Sequence, residues 1–418
     1  MSKRVVIVGG GVVGMATAWY CRQQGQQVTL VDRGRAYRDG CSFGNAGMIV
    51  PSHFIPLAAP GMIRLGLKWM LDPESPFYIR PRLSWDLLRW LWCFRGACKE
   101  SRVREAAPLL RDLHLASRRC FEELQTELEG GFGLVQRGLL MLCRDEHVWQ
   151  EEIETSERAR QLGLPARVLD PTALAELDPN IEMDVRGAIH YPDDCHLSPN
   201  RLMLALQEKL SSQGCTFHWE TECQGFRNQG NHITAVVTNE GEIAADEFLI
   251  CGGIWSPEMT EHLNLKLPMQ AGKGYSVMLD QPPELPEICS ILTEARVAVT
   301  PMGSALRFAG TMEIAGVDSS ITQSRVNGIV RSIQQYFPKF TEPIFKDCQP
   351  WVGLRPCSPD GLPYLGRPAK WENLIISTGH AMMGISLAMI SGKIAAEIVD
   401  RQPTTINPLH LLAPDRYG

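Results

Sequence analysis

Lys3-Arg-Val-Val-Ile-Val-Gly9-Gly-Gly-Val-Val-Gly14 opens the chain, and Gln27-Val-Thr-Leu-Val-Asp32 follows after one amphipathic stretch. Val5–Val8 is a buried strand, the residues from Val12 to Gln24 are helical, and Val28–Val31 is a second strand ending in a carboxylate. Gly9, Gly11 and Gly14 fill a G-x-G-x-x-G pattern. The first allows a tight turn, the second lets backbone approach a pyrophosphate, and the third lets the helix pack on the strand. Free amides and the dipole at the helix start attract the diphosphate, beside Val12 and Val13. Asp32 stands 18 residues after Gly14, where an acid holds a ribose hydroxyl. The opposing reading is a glycine turn that binds nothing. The motif alone leaves NAD and FAD open.

Outward from that stretch, 418 residues give two or three domains with ample core. Hydrophobic residues make up 44% and charged residues 21%, as in soluble globular proteins, and a net charge of −6 argues against nucleic acid. Thirteen cysteines form no C-x-x-C pair, so buried, reduced thiols in a cytosolic protein are expected. A core strand directly after Lys3-Arg4 is not a signal peptide. No stretch reads as the 18 or more apolar residues of a spanning helix. No metal-ligand pattern occurs.

Residues 62–94 hold Trp69, Trp85, Trp90 and Trp92. Ser84–Phe94 is helical in spacing and apolar on more than one face. It is either buried in the substrate domain or a surface that docks on a membrane or partner protein. Helices are expected at Met62–Leu71, Trp85–Cys98, Arg104–Leu128, Glu146–Leu162, Pro199–Gln213, Val326–Phe337 and Ile385–Val399. Strands are expected at Leu139–Cys143, Gly187–Tyr191, Thr216–Thr221, Ile233–Thr238, Glu247–Cys251, Gly274–Leu279, Arg296–Thr300, Ala305–Gly310 and Asn373–Gly379. Val168–Pro171 reads as an X-Pro turn. Nucleotide-type elements thus stand at the start, middle and end, with helical and antiparallel segments inserted.

Gly44-Asn-Ala-Gly47, Ala58-Ala-Pro-Gly61, Lys273-Gly-Tyr-Ser276, Trp351-Val-Gly-Leu-Arg-Pro356, Pro359-Asp-Gly361 and Thr378-Gly-His380, together with Gly9–Gly14, resemble the FAD-dependent D-amino-acid dehydrogenases. More widely the chain resembles the D-amino-acid oxidase, glycine oxidase and sarcosine oxidase superfamily, over nearly its whole length. The resemblance implies an α/β chain: a Rossmann-type FAD-binding domain interleaved with an α+β substrate domain containing an antiparallel sheet. The expected spans are 1–75, 185–262 and 350–405 for the first, 76–184 and 263–349 for the second, and 406–418 as a tail. It implies oxidative deamination of a D-amino acid, D-proline-like or hydroxy-D-proline-like substrates included, with electrons passed to a quinone or other carrier. The alternatives are an oxidase that uses O₂ and a flavoprotein subunit active only in a complex. Cys357 falls off the position of covalent attachment in sarcosine-oxidase-like relatives, so noncovalent FAD is expected, in a cytoplasmic protein, peripheral to the inner face of the membrane if 62–94 docks there. Ala381-Met-Met-Gly-Ile385, His53 and Asp194-Cys-His196 depart from the family pattern, which leaves the substrate open.

Flavin oxidation of an amino acid needs the carboxylate held, the amine neutral and the reduced ring's N1–C2=O side stabilised. Arg355, matching the relatives' carboxylate-binding arginine, offers a bidentate fork. Tyr275 is either a phenol on the same carboxylate or a packed core residue. His53 is either at the substrate or an ordinary loop histidine, and His380 either functional or structural. Arg307 reads as a solvated or ion-paired strand residue, and Asp194 and His196 as loop residues. Arg33, Ser42, Asn45, Ala46, Gly47, Met48, Cys223, Gly252, Gly253, Gly379, Met382, Met383, Gly384 and Ile385 are expected to meet the cofactor, those around Met382–Ile385 through helix-start amides.

Overall fold

The computed structural model describes residues 2–37, 40–70 and 74–418. The opening segment folds as its pattern dictates: strand Arg4–Val8, helix Val12–Gln23, strand Gln27–Val31. Gly9 has φ of +110°, and a Cβ at Gly14 would lie 1.9 Å from the Gly9 carbonyl oxygen. A side chain at either position would break the turn.

Around this unit stands a six-stranded sheet in the order Tyr364–Gly366, Leu374–Thr378, Glu247–Ile250, Arg4–Val8, Gln27–Val31, Thr216–His218. All neighbours are parallel except the antiparallel edge Tyr364–Gly366. Helices Val12–Gln23 and Gly384–Val399 pack on one face in a core with helix Glu100–Glu127. The segment Ala381–Val399 is long and apolar enough to cross a membrane, contrary to the sequence reading, yet 72% of its apolar window is buried in this core.

A nine-stranded mixed sheet runs Trp351–Cys357, Gln270–Leu279, Ala305–Ile314, Val297–Met302, Cys289–Leu292, Leu139–Cys143, Gly187–Tyr191, Arg167–Leu169, with Phe77–Ile79 added on Ala305–Ile314. It is antiparallel except at two parallel junctions. Gly187–Tyr191 and Trp351–Cys357 belong to this sheet, although they lie inside spans 185–262 and 350–405. Helix Gln323–Tyr336 covers its outer face over an aromatic core that includes Phe308, Phe337 and Phe340. Cys223–Gln229, His232–Thr238 and Gly241–Ala244 form a separate meander. Thr216–His218 therefore joins the parallel sheet, and Cys223–Gln229 is the hairpin partner across Asn228–Asn231. Val168 lies in a short strand, not a turn, because Arg167–Leu169 pairs with Gly187–Tyr191. The helix from Met62 ends at Trp69; Leu71, its expected end, lies outside the described residues.

Candidate active site

A cavity of 620 Å³ opens where the glycine turn, the Cys41–Asn45 loop, the turn after Glu247–Ile250 and the start of the last helix converge. Gly9, Gly11, Val12, Val13, Asp32, Arg33, Ser42, Asn45, Cys223, Gly252, Gly253, His380, Gly384 and Ile385 line it, all expected from the sequence. Gly14 lies behind the turn. Gly47 and Met48 pack against the Cys195–Leu197 segment, Ala46 against an apolar cluster, and Gly379 against the Tyr364 ring. The Met382 side chain is exposed and that of Met383 meets His114. These seven are not among the lining residues.

At the two helix starts beside the cavity the residue before the helix supplies no cap of its own: Gly11 before Val12–Gln23, whose first amide is taken by Ser42 Oγ, and Met383 before Gly384–Val399. Their amides leave a positive pole open to an anion or a carbonyl. Asp32 accepts from the amides of Gly10 and Gly34, both at 2.6 Å, which closes the turn onto the second strand. Ser42 Oγ accepts from Val12 N at 2.9 Å and ties the Cys41–Asn45 loop to the first helix. Arg33 lies 4.1 Å over the Trp255 ring. Ser377 also lines the cavity, and its buried hydroxyl has no hydrogen-bond partner among the described residues. A glycine cradle, the amides of two helix starts, a carboxylate and the Ser377 hydroxyl fit the flavin dinucleotide expected from the sequence.

His380 is buried and bonded to Ser391 Oγ at 2.9 Å, and burial lowers its pKa to about 4, so the ring is neutral. His53 Nδ1 meets Ser52 Oγ at 3.1 Å; burial, then Arg296, bring its pKa to about 4. It is not among the cavity-lining residues. Asp194 is no loose loop residue: it is buried, accepts from Ser52 N and Oγ, and burial raises its pKa to about 7. His196 is also buried, in a two-residue strand against Met48–Ile49.

Tyr275 takes the second of its two expected places, packed in the core of the large sheet and not at the cavity. Strand alternation turns it toward helix Gln323–Tyr336, where its phenol bonds Glu313 Oε2 at 2.9 Å and accepts from Thr322 N at 3.2 Å. Arg355 takes the other face. Arg355 itself is not among the lining residues, although its strand neighbours Leu354 and Pro356 are; its guanidinium lies over Gly274, near Cys41. A Cβ on Gly274 would stand 2.2 Å from its Nη1, so only glycine leaves this bed open. Nη1 donates to Thr311 O at 2.6 Å, and no carboxylate pairs with Arg355 among the described residues. Arg307 corrects the sequence expectation. It is buried, not solvated, and has no carboxylate partner among the described residues; Nη1 donates to the carbonyls of Phe43 and Asn45 at 3.1 and 2.6 Å.

Sequence reasoning passed over Trp255, Glu258, Met259, His262, Thr221 and Ser377 as lining residues. Thr221 and Ser377 lie at or near the ends of expected strands, and Trp255 follows the Gly252-Gly253 pair expected at the cofactor; Glu258, Met259 and His262 carried no signal.

The family model described as DAO, FAD dependent oxidoreductase, matches residues 4–398. The D-amino acid dehydrogenase of Granulibacter bethesdensis is 31% identical, over 99% of this chain and 100% of its own. That of Neisseria meningitidis is 29% identical over 96% and 97%. Among solved structures, glycine oxidase from Geobacillus kaustophilus has a TM-score of 0.79 at 22% identity, covering 99% of each chain. L-proline dehydrogenase from P. horikoshii has 0.75 at 19% identity, covering 100% and 98%.

Proposed function

The chain belongs to the DAO family of FAD-dependent oxidoreductases, and on that premise we propose that it is a D-amino-acid dehydrogenase whose substrate carboxylate is held by Arg355. The observation that supports this is a half-buried arginine whose strand neighbours line the cavity and which has no carboxylate partner among the described residues. A buried cation needs an anion, and an amino acid brings one. The D-amino-acid class is supported by the names of the relatives just described.

FAD, held noncovalently in the cavity, supplies the hydride acceptor. Arg355 keeps Nη1 on Thr311 O, which leaves Nη2 and Nε for the carboxylate and fixes the direction from which Cα approaches. His53 and His380, both neutral with pKa near 4, are too weak to take the amine proton at neutral pH. Neither histidine then serves as the base, and a substrate that binds with its amine neutral needs none. His380 instead holds Ser391 and so the last helix, whose first amides face the cavity at Gly384 and Ile385. The narrower substrate class is D-proline-like or hydroxy-D-proline-like, and the acceptor is a quinone or other carrier.

Leu83, Trp85, Leu88 and Trp92 are exposed on and beside helix Trp85–Ala97, and Ile63 and Leu67 on helix Met62–Trp69. Exposed Arg64, Lys68, Arg95 and Lys99 accompany them. This pairing suits an anionic bilayer surface, and we place the enzyme at the inner face of the membrane, in a compartment where thirteen unpaired cysteines stay reduced. Binding to phosphatidylserine-containing vesicles is expected, and Trp85→Ser with Trp92→Ser weakens it at least tenfold. Equal binding to neutral and anionic vesicles, or none, refutes the placement.

A panel of D- and L-amino acids with a dye acceptor tests the main proposal. D-amino acids bleach the flavin anaerobically, and mixing with air restores it slowly. Rapid reoxidation with peroxide would make it an oxidase. Arg355→Met is expected to raise KM and lower kcat/KM by about 2–4 kcal/mol in equivalent free energy. An unchanged KM removes Arg355 from the carboxylate.

A further inference from the structure

Arg307 and Arg355 stand on one face of the large sheet, as the registers Arg355–Gly272, Ser276–Ala309 and Met278–Arg307 place them. Lys273 and Arg416, also buried cations, sit on Asp318 and Asp360. Arg307 and Arg355 have no such partner among the described residues, and burial is the only cause acting on Arg307, which lowers its pKa to about 10. Burying a cation without an anion is strongly unfavourable, so such a residue persists where a ligand brings the charge. For Arg355 that ligand is the substrate carboxylate. Arg307 needs another.

The Cys41–Gly47 loop shows where it lies. Phe43 and Asn45 line the cavity, and their carbonyls turn back to the Arg307 guanidinium. Gly44, between them, lies against the Trp351 ring on the same sheet face. The guanidinium is thus one loop's thickness behind the cavity wall. Two carbonyl dipoles orient it but do not neutralise it. Beside it on the neighbouring strand is Thr300, whose buried hydroxyl has no hydrogen-bond partner among the described residues.

We propose that Arg307 is a positioning residue for charge: it sets the redox poise of the flavin by supplying the counter-charge for the negative charge gained on reduction. This rests on FAD occupying the cavity as in the proposed function. When the substrate gives up a hydride, two electrons and one proton pass to the ring, which becomes more negative by one unit. A cation fixed nearby in a medium of effective dielectric about 20 favours that state by about tenfold or more. The loop's carbonyls hold the cation still, so no reorganisation accompanies the transfer.

The experiment is dye-equilibrated reduction of the purified holoenzyme, with FAD content measured for each variant. Arg307→Gln keeps an amide donor for the loop and loses the charge. It is expected to lower the reduction equilibrium constant about tenfold, a fall of about 30 mV for a two-electron couple. Arg307→Lys restores the constant to within about threefold of wild type. Thr300→Asp leaves the loop contacts alone, puts a carboxylate beside the guanidinium, and lowers the constant as Gln does. Should Arg307→Gln fail to retain FAD, Thr300→Asp decides alone. Unchanged potentials in FAD-loaded Gln and Asp variants overturn the proposal, and equal shifts in Gln and Lys reduce Arg307 to a packing role. An unchanged potential with a raised KM confined to amino acids bearing a second carboxylate moves the counter-charge to the substrate and equally overturns it. If no amino acid reduces the wild type but the Arg307 effect is present, the substrate reading fails and this one stands.

Discussion

Burial gives Asp194 and His380 opposite responses to pH. The Asp194 carboxyl is raised to about 7, so the folded chain prefers it protonated. Its contribution is fully present below the unfolded pKa near 4 and is lost as pH rises through 7. Asp194→Asn is expected to flatten the fall in Tm between pH 5 and 8; a fall parallel to wild type would show that another group is responsible. His380 is lowered to about 4, so the folded chain prefers it neutral. Its stability is fully present above pH 6.5 and is lost toward pH 4, by on the order of 3 kcal/mol. His380→Gln, which keeps a partner for Ser391, should reduce the acid loss, seen as a shallower Tm decline from pH 6.5 to 4.5. Single residues were unevenly legible. Arg355 sits in a distinctive motif. Tyr275 does not reveal its face, because alternation has two phases and only the covering helix selects one. Arg307 looked solvated because nothing in a strand says that a loop from 262 residues earlier will cover it.

At the scale of elements, helix Trp85–Ala97 shows what periodicity leaves open. Trp85, Leu88 and Trp92 share an exposed face, while Leu87 and Trp90 are buried. Apolar residues on both faces gave the sequence no basis for choosing the inner one. The structure decides through Trp90, whose Nε1 donates to Cys357 O at 2.9 Å, two residues from Arg355. Trp90→Phe is expected to cost about 1–3 kcal/mol, since it orphans a buried carbonyl. Trp85→Ser is expected to stay within about 0.5 kcal/mol. Urea unfolding of both distinguishes the faces. The glycine turn was legible in full. Gly14→Ala, with its Cβ driven into the Gly9 carbonyl, should leave protein that purifies without FAD; a normal flavin content would contradict the packing.

At the scale of the molecule, the tail closes the structure. Arg416 bonds Asp360 at 2.9 and 3.0 Å and stacks 4.0 Å over Tyr364, and Arg89 holds the Tyr417 carbonyl. Arg416→Met leaves the Asp360 carboxylate half-buried and uncompensated, and a loss of about 3–5 kcal/mol is expected. A Tm within 2 °C of wild type would show the tail to be dispensable. The interleaved layout was legible because each segment carries its own apolar run. The short Thr216–His218 edge was not, because three residues join a sheet only when a neighbour is already in place.

The central strand Arg4–Val8 lies between Gln27–Val31 and Glu247–Ile250. During synthesis its second edge therefore stays open until residue 250 has emerged. At about 5–20 residues per second that is an interval of roughly 12–50 s. The apolar edge of Val5–Val8 is then a target for chaperones and for pairing between nascent chains on one messenger. The same sheet gains its strand Leu374–Thr378 later still, so the wall of the cavity is assembled from segments far apart in the chain.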